Sequence, residues 1–248
     1  MAHGRILLLV VCSTIACSFA TDVPSFIHVC KRNDPQIEEC IKKSVEEIRP
    51  KLVTGVPEFN IPSLEPLLLK ELVAAEGAGG LKVTCHNIKA FGASDFVIQK
   101  LRVDISTLRF AMDILLPHLY IEGTYEVDGR VLLLPIKGNG PLTGNFTDAL
   151  GSVKVQGDLF KADDGTDHLH LSEFRMRIAI RQGSLKLENL FGGDATLGTV
   201  VNNAINNNFD AFIKELNPLI EKALSTAFME IGNSIVKPYT YSQLFPES

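Results

Sequence analysis

Two histidines, separated by one residue, are the first side chains in this sequence that could bind a metal ion. His168 and His170 alternate with Leu169 and Leu171, and side chains two residues apart on a β-strand point to the same face. A pair of imidazoles can bind zinc when further ligands complete the site. No third ligand stands at a typical spacing, and the alternation with leucine puts both histidines on a polar face. The pattern therefore favours solvated side chains over a metal site.

Catalytic chemistry has less support still. The sequence contains no Gly-x-Ser-x-Gly elbow, phosphate-binding Gly-rich loop, His-Glu-x-x-His or Cys-x-x-Cys motif. Serine, histidine and aspartate are present without a recognisable arrangement, although triads are recognised by geometry rather than by order. The sequence predicts no catalytic residues and no cofactor. An esterase-like enzyme stays as an alternative without positive support.

The first 20 residues have the pattern of a secretory signal peptide. The start is weakly basic, an apolar core runs from Ile6 to Ala16, and Ser18-Phe19-Ala20 is a small-x-small cleavage signal. We expect cleavage after Ala20 and an extracellular protein. An uncleaved membrane anchor is the alternative, which the short apolar core disfavours. Residues 21–248 then form a single domain, because no linker or internal repeat divides them.

Charge excludes several classes of partner. Loss of Arg5 with the signal peptide leaves 23 basic against 29 acidic side chains, a net charge of −6. Nucleic-acid binding requires a basic surface, and docking on an anionic membrane is favoured by one. We therefore expect no nucleic-acid partner and no stable membrane insertion.

Three cysteines remain after the signal peptide is removed. Outside the cell, Cys30 and Cys40 are the natural disulfide pair, and closing so short a loop is worth about 2–3 kcal/mol. Cys40 lies on a helix predicted from Pro35 to Arg49, with Asp34 as its N-cap. Cys85 shares strand parity with apolar neighbours, which favours a buried thiol over a reactive one. Pairing of Cys85 with another chain is the alternative.

The segment from Leu81 to Leu190 alternates between apolar and polar residues. The apolar runs are Leu108, Phe110, Met112 and Ile114, then Leu119, Ile121, Tyr125 and Val127, then Val153, Val155 and Leu159. This period of two predicts antiparallel strands with one apolar face. Glycines predict turns at residues 128–129, 138–140, 164–165 and 182–183. A parity change predicts a bulge near Ser172-Glu173, and three prolines make residues 51–66 an extended arm.

The last fifth of the chain carries apolar residues at helical spacing. They are Leu197, Val201, Ile205, Phe209, Phe212, Leu216, Ile220, Ala223, Ala227, Ile231 and Ile235. A period near 3.6 over this length predicts one helix of about 40 residues that begins after Asp194 as N-cap. Pro218 predicts a kink in that helix. Two helices broken near Asn217-Pro218 are the alternative.

A long apolar helix laid against a curved, strand-rich wall suggests a lengthwise apolar tunnel. The candidate lining is Phe110, Met112, Ile121 and Tyr125 on strands, with Val201, Ile205, Phe209, Phe212 and Leu216 on the helix. Such a tunnel would bind a long lipophilic small molecule, because apolar contact supplies the affinity. Ordinary core packing is the alternative for each residue. An extracellular signalling or structural protein with a filled interior is the alternative function.

One modification signal stands apart from the tunnel. Asn145-Phe146-Thr147 is an N-glycosylation acceptor sequence in a stretch that the glycines predict to be rich in turns. The sequence permits a glycan on Asn145 without showing that one is attached.

The residues from Gly55 to Pro66 resemble the signature of the takeout/juvenile-hormone-binding protein family of insects. The Cys30/Cys40 pair, the segment from Glu188 to Asp194 and the tail from Tyr239 to Pro246 resemble the family as well. The resemblance implies an α+β fold with a short N-terminal helix and a long C-terminal helix wrapped by a highly curved antiparallel β-sheet. That architecture is similar to bactericidal/permeability-increasing and lipid-transfer proteins.

The resemblance also implies a function. It implies an extracellular carrier of terpenoid hormones, fatty acyl compounds or prenylated quinones in an elongated apolar tunnel, with an unidentified receptor as a further candidate partner. Two positions depart from the hormone-carrier pattern: Phe209 stands where relatives often carry Trp, and Cys85 lacks the partner for a second disulfide. Both departures favour the takeout branch.

Overall fold

The computed structural model describes residues 22–75, 80–131 and 134–247. The predicted signal peptide lies outside these residues. The helices are α1 (Ile37–Thr54), α2 (Ala195–Asn207), α3 (Phe209–Val236) and α4 (Tyr241–Leu244), and the strands are β1 (Leu67–Ala75), β2 (Lys82–Phe91), β3 (Val97–Asp104), β4 (Arg109–Val131), β5 (Leu134–Lys161) and β6 (Asp167–Leu187). Short 3₁₀ turns lie at Pro57–Phe59, Ala93–Asp95 and Phe191–Gly193.

All six strands form one antiparallel sheet in the order β1-β2-β4-β5-β6, and β3 also pairs with β4. The first part of β4 pairs with β3 and the second part with β2, so these two strands follow each other along one edge of β4. The sheet is curled, and α3 packs against both of its edge strands, β6 and β1. The expected fold, a curved antiparallel sheet around a long C-terminal helix, is confirmed.

Three of the four predicted turns are wrong. Residues 164–165 do connect β5 to β6, but residues 128–129, 138–140 and 182–183 lie inside strands β4, β5 and β6. Two of these glycines admit close backbone approach instead. A Cβ on Gly129 would stand 2.6 Å from the Cα of Leu81, and one on Gly138 would stand 2.9 Å from the Cα of Leu190.

The inner face of the sheet changes parity half-way along the long strands. On β5 the buried apolar side chains are Ile136, Leu142 and Phe146 before Asp148, and Ala149, Val153 and Val155 after it. Asp148 has a left-handed backbone, with φ of 51°, and lies between the register pairs His118–Thr147 and Leu116–Ala149. The predicted bulge on β6 is confirmed, because Gln156 pairs with Glu173 and Gly157 with Leu171, which leaves Ser172 as the extra residue.

Helix α1 differs at both ends from the expectation. It begins at Ile37 rather than at Pro35, and the Asp34 carboxylate accepts a hydrogen bond from the Gln36 N–H at 2.8 Å. It continues past Arg49 through Pro50 to Thr54, so the first residues of the predicted extended arm are helical. The disulfide between Cys30 and Cys40 ties the N-terminal segment to this helix.

The C-terminal helical segment is interrupted at Asn208 and not at Pro218, which lies inside α3. Asn208 leaves helical geometry with φ of −122°, and its side-chain amide donates a hydrogen bond to the Ala204 C=O. Asn208 thus ends α2 and begins α3 without leaving a bare helix end. Asp194 is the N-cap of α2 as expected, because its carboxylate accepts hydrogen bonds from the N–H groups of Thr196 and Leu197.

Candidate ligand-binding interior

Polar side chains attach the C-terminal helices to the free edge of β6. Asn202, Asn206 and Asn233 each use both ends of the side-chain amide on a single residue of the strand. The Oδ1 atoms accept the N–H of Leu187, Leu185 and Leu171, and the Nδ2 atoms donate to the C=O of the same residues, all at 2.8–3.0 Å. Each asparagine therefore replaces the neighbouring strand that an edge residue lacks.

The middle of the same edge is held by other polar residues of α3. The Glu221 carboxylate accepts the Ile178 N–H at 2.8 Å and the Arg177 guanidinium at 3.0 Å, and Ser225 accepts the Met176 N–H at 3.0 Å. Asn217 donates to the Ile178 C=O at 3.0 Å. Glu221 is buried, at 8% exposed.

We call these six residues the edge ladder: Asn202, Asn206, Asn217, Glu221, Ser225 and Asn233. Four helix residues rise about 6 Å, which nearly equals the 6.6 Å of two strand residues. The pairs Asn202–Asn206 and Glu221–Ser225 therefore meet alternate residues of the strand. Asn217 and Glu221 instead share Ile178, one bonding to its C=O and the other to its N–H. Sequence reasoning missed the ladder. Its signal was present, since separations of 4, 11, 4, 4 and 8 residues turn an ideal helix by only about 20–80° from each polar residue to the next.

The seam between α3 and β1, on the other side of the helix, is apolar, unlike the hydrogen-bonded contact with β6. No hydrogen bond joins α3 to β1 within the described ranges of the chain. Leu67 and Leu69 of β1 belong to the same apolar cluster as Leu216 and Leu219 of α3. The helix is thus hydrogen-bonded to one edge of the sheet and in apolar contact with the other.

The interior is densely filled at the end near α2. We call this region the packed end. Five candidate lining residues are buried there in one apolar cluster: Tyr125, Val201, Ile205, Phe209 and Phe212. The Tyr125 hydroxyl donates to the Glu188 C=O at 2.7 Å, and burial raises the pKa of Tyr125 to about 12. For these five residues the arrangement is that of ordinary core packing.

The interior is loosely filled further along α3. From Leu216 to Val236 no apolar residue of α3 is fully buried, although the helix lies between two sheet edges. Several inner residues of the sheet beside this part of α3 are also only half-buried, namely Met112, Ile114, Phe174, Met176 and Ile178. Val153, which lies in register with Met112 and Met176, is buried. We call this region the open end.

Gly151 shows directly that the open end contains space. It lies on the inner face of β5, in register between Ile114 of β4 and Ile178 of β6. A Cβ built on Gly151 would meet no atom within 4 Å. At the packed end, a Cβ on Gly183 would stand 2.6 Å from Cδ1 of Phe146 and 2.7 Å from Cζ of Phe209.

The four remaining candidate residues lie at or beside this space. Met112 lies in the neighbouring row of the sheet, opposite Val153. Ile121 and Leu216 are partly buried against the packed cluster, at the boundary between the two ends. Phe110 lies one row beyond Met112 and stacks on Phe245 of the C-terminal tail, with ring centroids 6.1 Å apart.

The C-terminal tail closes the far side of the open end. Tyr241 joins Leu108 and Leu169 in a small apolar cluster. Arg32 holds the tail in place, because its Nε donates to the Phe245 C=O at 3.0 Å and its guanidinium lies 4.7 Å from the centre of the Tyr241 ring. The neighbouring Cys30–Cys40 disulfide anchors Arg32 to α1.

The residues considered for other chemistry lie apart from this interior. His168 is half-buried and contacts Thr166 Oγ1 at 3.1 Å, and His170 is exposed. The part of the chain that the structure describes contains no group of three metal-binding side chains. Cys85 packs beside the packed cluster, and burial raises the pKa of its thiol to about 11. Asn145 is exposed in the middle of β5, so the expectation of a turn there is wrong.

The sequence as a whole decides the family. Residues 6–246 match the model of the haemolymph juvenile hormone binding protein family. The chain belongs to this family. It is 25% identical to the circadian clock-controlled protein daywake of Drosophila melanogaster over 231 residues, covering 90% of this chain and 88% of that one. It is 20% identical to a putative beta-carotene-binding protein of Schistocerca gregaria over 222 residues, covering 89% and 88%.

A solved structure supports the fold. The crystal structure of Epiphyas postvittana Takeout 1 matches with a TM-score of 0.73 at 20% identity, covering 88% of this chain and 99% of that one. In the described residues, no helix combines the length and apolar character needed to cross a bilayer.

Proposed function

We propose that this protein is an extracellular carrier that binds one long lipophilic molecule in the open end, between α3 and the inner face of the sheet. The empty space over Gly151 carries the proposal. That space is bordered by apolar side chains that keep accessible surface, as expected of a lipophilic pocket. The family name and the beta-carotene-binding relative support cargo of this kind.

Apolar contact would supply most of the affinity. Each buried CH₂ group of the cargo contributes about 0.8 kcal/mol. The rows from Leu116 to Phe110 extend about 20 Å along β4 at 3.3–3.4 Å per residue, which suits an elongated rather than a globular molecule. Contact of this kind discriminates poorly between apolar chains, so terpenoids, fatty acyl compounds and prenylated quinones all remain candidate cargo.

A filled interior is the competing hypothesis, and one pair of substitutions separates the two. Gly151→Phe would place a ring in the open end, whereas Ser152→Phe would place the same ring on the outer face of the neighbouring position, where Ser152 is exposed. We expect both variants to fold. Gly151→Phe should reduce uptake of a long-chain fluorescent fatty acid at least tenfold, and Ser152→Phe should leave it within twofold of the parent protein.

A second variant tests the same space in case Gly151→Phe fails to fold. Met112→Trp enlarges a half-buried side chain in the next row, and we expect it to weaken uptake as well. Unchanged uptake in folded Gly151→Phe and Met112→Trp proteins, together with no lipid in solvent extracts of the secreted protein, would support a filled interior and overturn the carrier proposal.

Secretion and glycosylation are further proposals about the same protein. The disulfide of the folded domain and the signal-like first 20 residues support export. N-terminal sequencing of the secreted protein should begin at Thr21. The exposed Asn145 is open to glycan attachment on the outer face of the sheet, and a glycosidase-sensitive mass that disappears in Asn145→Gln would establish it.

A further inference from the structure

A charged groove lies on the outer face of the sheet, opposite to the proposed cargo space. It has a volume of about 780 Å³ and is bordered by α1 on one side and by strands β3 to β6. Its floor follows two rows of the sheet. One row joins Arg102, Ala111, Lys154 and Arg175, and the next joins Asp104, Arg109, Gln156 and Glu173.

The groove is basic although the protein is acidic. Its lining contains the six cationic residues Lys42, Lys100, Arg102, Arg109, Lys154 and Arg175 against the three acidic residues Glu38, Asp104 and Glu173. The chain as a whole carries a net charge of −5. A local excess of positive charge on an acidic protein attracts anions to that one place.

Three of these cations have no partner within the described residues. Ion pairs occupy Lys42 with Glu39 and Arg175 with Glu173, and Arg109 donates to the Gln156 side chain at 2.9 Å. Lys100, Arg102 and Lys154 make no ion pair with any described residue.

The acidic residues of the lining are already engaged. Glu38 accepts the Val103 N–H at 3.1 Å, and Asp104 accepts hydrogen bonds from Ser106 and Thr107 in the β3–β4 turn. Glu173 pairs with Arg175. None of them forms an ion pair with Lys100, Arg102 or Lys154.

The row through Ala111 sets the distance between two of these cations. Arg102 and Lys154 flank Ala111 from the two neighbouring strands. Strands about 4.8 Å apart place their Cα atoms roughly 10 Å from each other across that alanine. The side chain of Ala111 is only a methyl group, so it leaves room between the two long cationic side chains. One small anion could contact both cations at once.

We infer that this groove binds the phosphate group of a phosphate monoester, held between Arg102 and Lys154 above Ala111. A monoester carries close to two negative charges near neutral pH and has three accepting oxygens, which matches several unpaired donors better than a carboxylate does. A small molecule fits better than a bilayer, because α1 forms a wall and the rest of the chain is net negative. The inference does not rest on the carrier proposal.

Amide chemical-shift titration of the mature secreted protein tests the site with inorganic phosphate and with glycerol 3-phosphate. We expect saturable shifts confined to residues 100–104, 109–111, 152–156 and 173–175. The double variant Arg102→Gln, Lys154→Gln should bind both probes at least tenfold more weakly. The control Lys214→Gln, Lys222→Gln removes the same charge from exposed positions of α3 that make no ion pair with described residues, and it should bind within twofold of the parent.

Vesicles of phosphatidylcholine containing phosphatidic acid distinguish the source of the phosphate. We expect little sedimentation with them at physiological salt. Equal weakening in both double variants would mean that overall charge and not this groove attracts phosphate. Shifts that never saturate, or binding to vesicles without binding to either soluble probe, would likewise overturn the inference.

Discussion

The packed end and the open end lie along the same helical segment and beside the same sheet, yet they are filled differently. At the packed end, aromatic rings occupy the room that glycines leave, because the Phe146 ring lies against the backbone of Gly144 and Gly183. At the open end, a Cβ built on Gly151 would have no atom within 4 Å. A glycine on an inner face therefore has two opposite uses, one to admit a neighbouring ring and one to keep a space free.

The largest expected difference between the ends concerns stability. Phe209→Ala removes a buried ring that packs on Phe146 with centroids 6.1 Å apart, and it should lower the free energy of unfolding by about 3–5 kcal/mol. Phe228→Ala removes a half-buried ring at the open end that stacks on Phe174 with centroids 6.1 Å apart, and it should cost about 1–2 kcal/mol because less apolar surface is lost. Urea unfolding measures both. Equal losses would show that the two ends are packed alike.

Thiol reactivity should be lower at Cys85, which lies beside the packed cluster, than at a cysteine placed at the open end. Burial raises the pKa of Cys85 to about 11, so at pH 8 the folded protein holds roughly a hundredfold less thiolate, the form that reacts, than a solvated cysteine does. Labelling with a disulfide reagent at pH 8 should be correspondingly slow and should speed up in urea. Met112→Cys in a Cys85→Ala background should label faster. Similar rates at the two positions would remove the contrast.

Glycine substitutions offer a test without large side chains. Gly183→Ala would place a methyl group against two rings and should cost about 1–3 kcal/mol by overpacking. Gly151→Ala meets empty space and should be neutral or stabilising by up to about 1 kcal/mol, because alanine restricts the unfolded chain. Thermal unfolding of the two variants measures the difference, and a costly Gly151→Ala would mean that the open end is filled.

The smallest expected effect tests the edge ladder. Asn206→Ala removes two hydrogen bonds to Leu185 and should cost about 1–2 kcal/mol. The neighbouring Asn207 is exposed and makes no side-chain hydrogen bond with a described residue, so Asn207→Ala is the matched control and should change stability by less than about 0.5 kcal/mol. A similar cost at both positions would mean that the ladder contributes little to holding α2 on the sheet.

The sequence predicted those features that depend on local periodicity. Alternation identified the inner face of β4 and, at Val153 and Val155, that of β5, although Leu159 of the same predicted run is exposed. The parity change identified the bulge at Ser172, and Asp194 identified the start of α2. The break at Asn208 was missed because proline at position 218 is the stronger local signal, while an asparagine that satisfies the preceding turn has none. Glycines within strands were mistaken for turns because their purpose, close contact with Leu81 or Leu190, depends on residues far away in the chain.

The candidate lining shows the same limit. Periodicity selected apolar residues that face inward, and all nine do belong to apolar regions of the sheet or the helices. Whether an inward-facing residue is packed against neighbours or borders empty space depends on the size of the side chains that other strands place in the same part of the interior. The helical period at Phe209 and the strand alternation at Met112 both predict a side chain that faces inward. Only the three-dimensional arrangement separates Phe209, which is buried, from Met112, which borders the space.

The edge ladder has a consequence for the behaviour of this protein at high concentration. A strand of 21 residues with unpaired backbone groups would be a template on which a second chain could add its own strand and begin a fibre. Asparagine, glutamate and serine side chains occupy those groups without presenting a new edge, because a helix offers no strand to the next molecule. Loss of several ladder residues together should therefore increase self-association through β6.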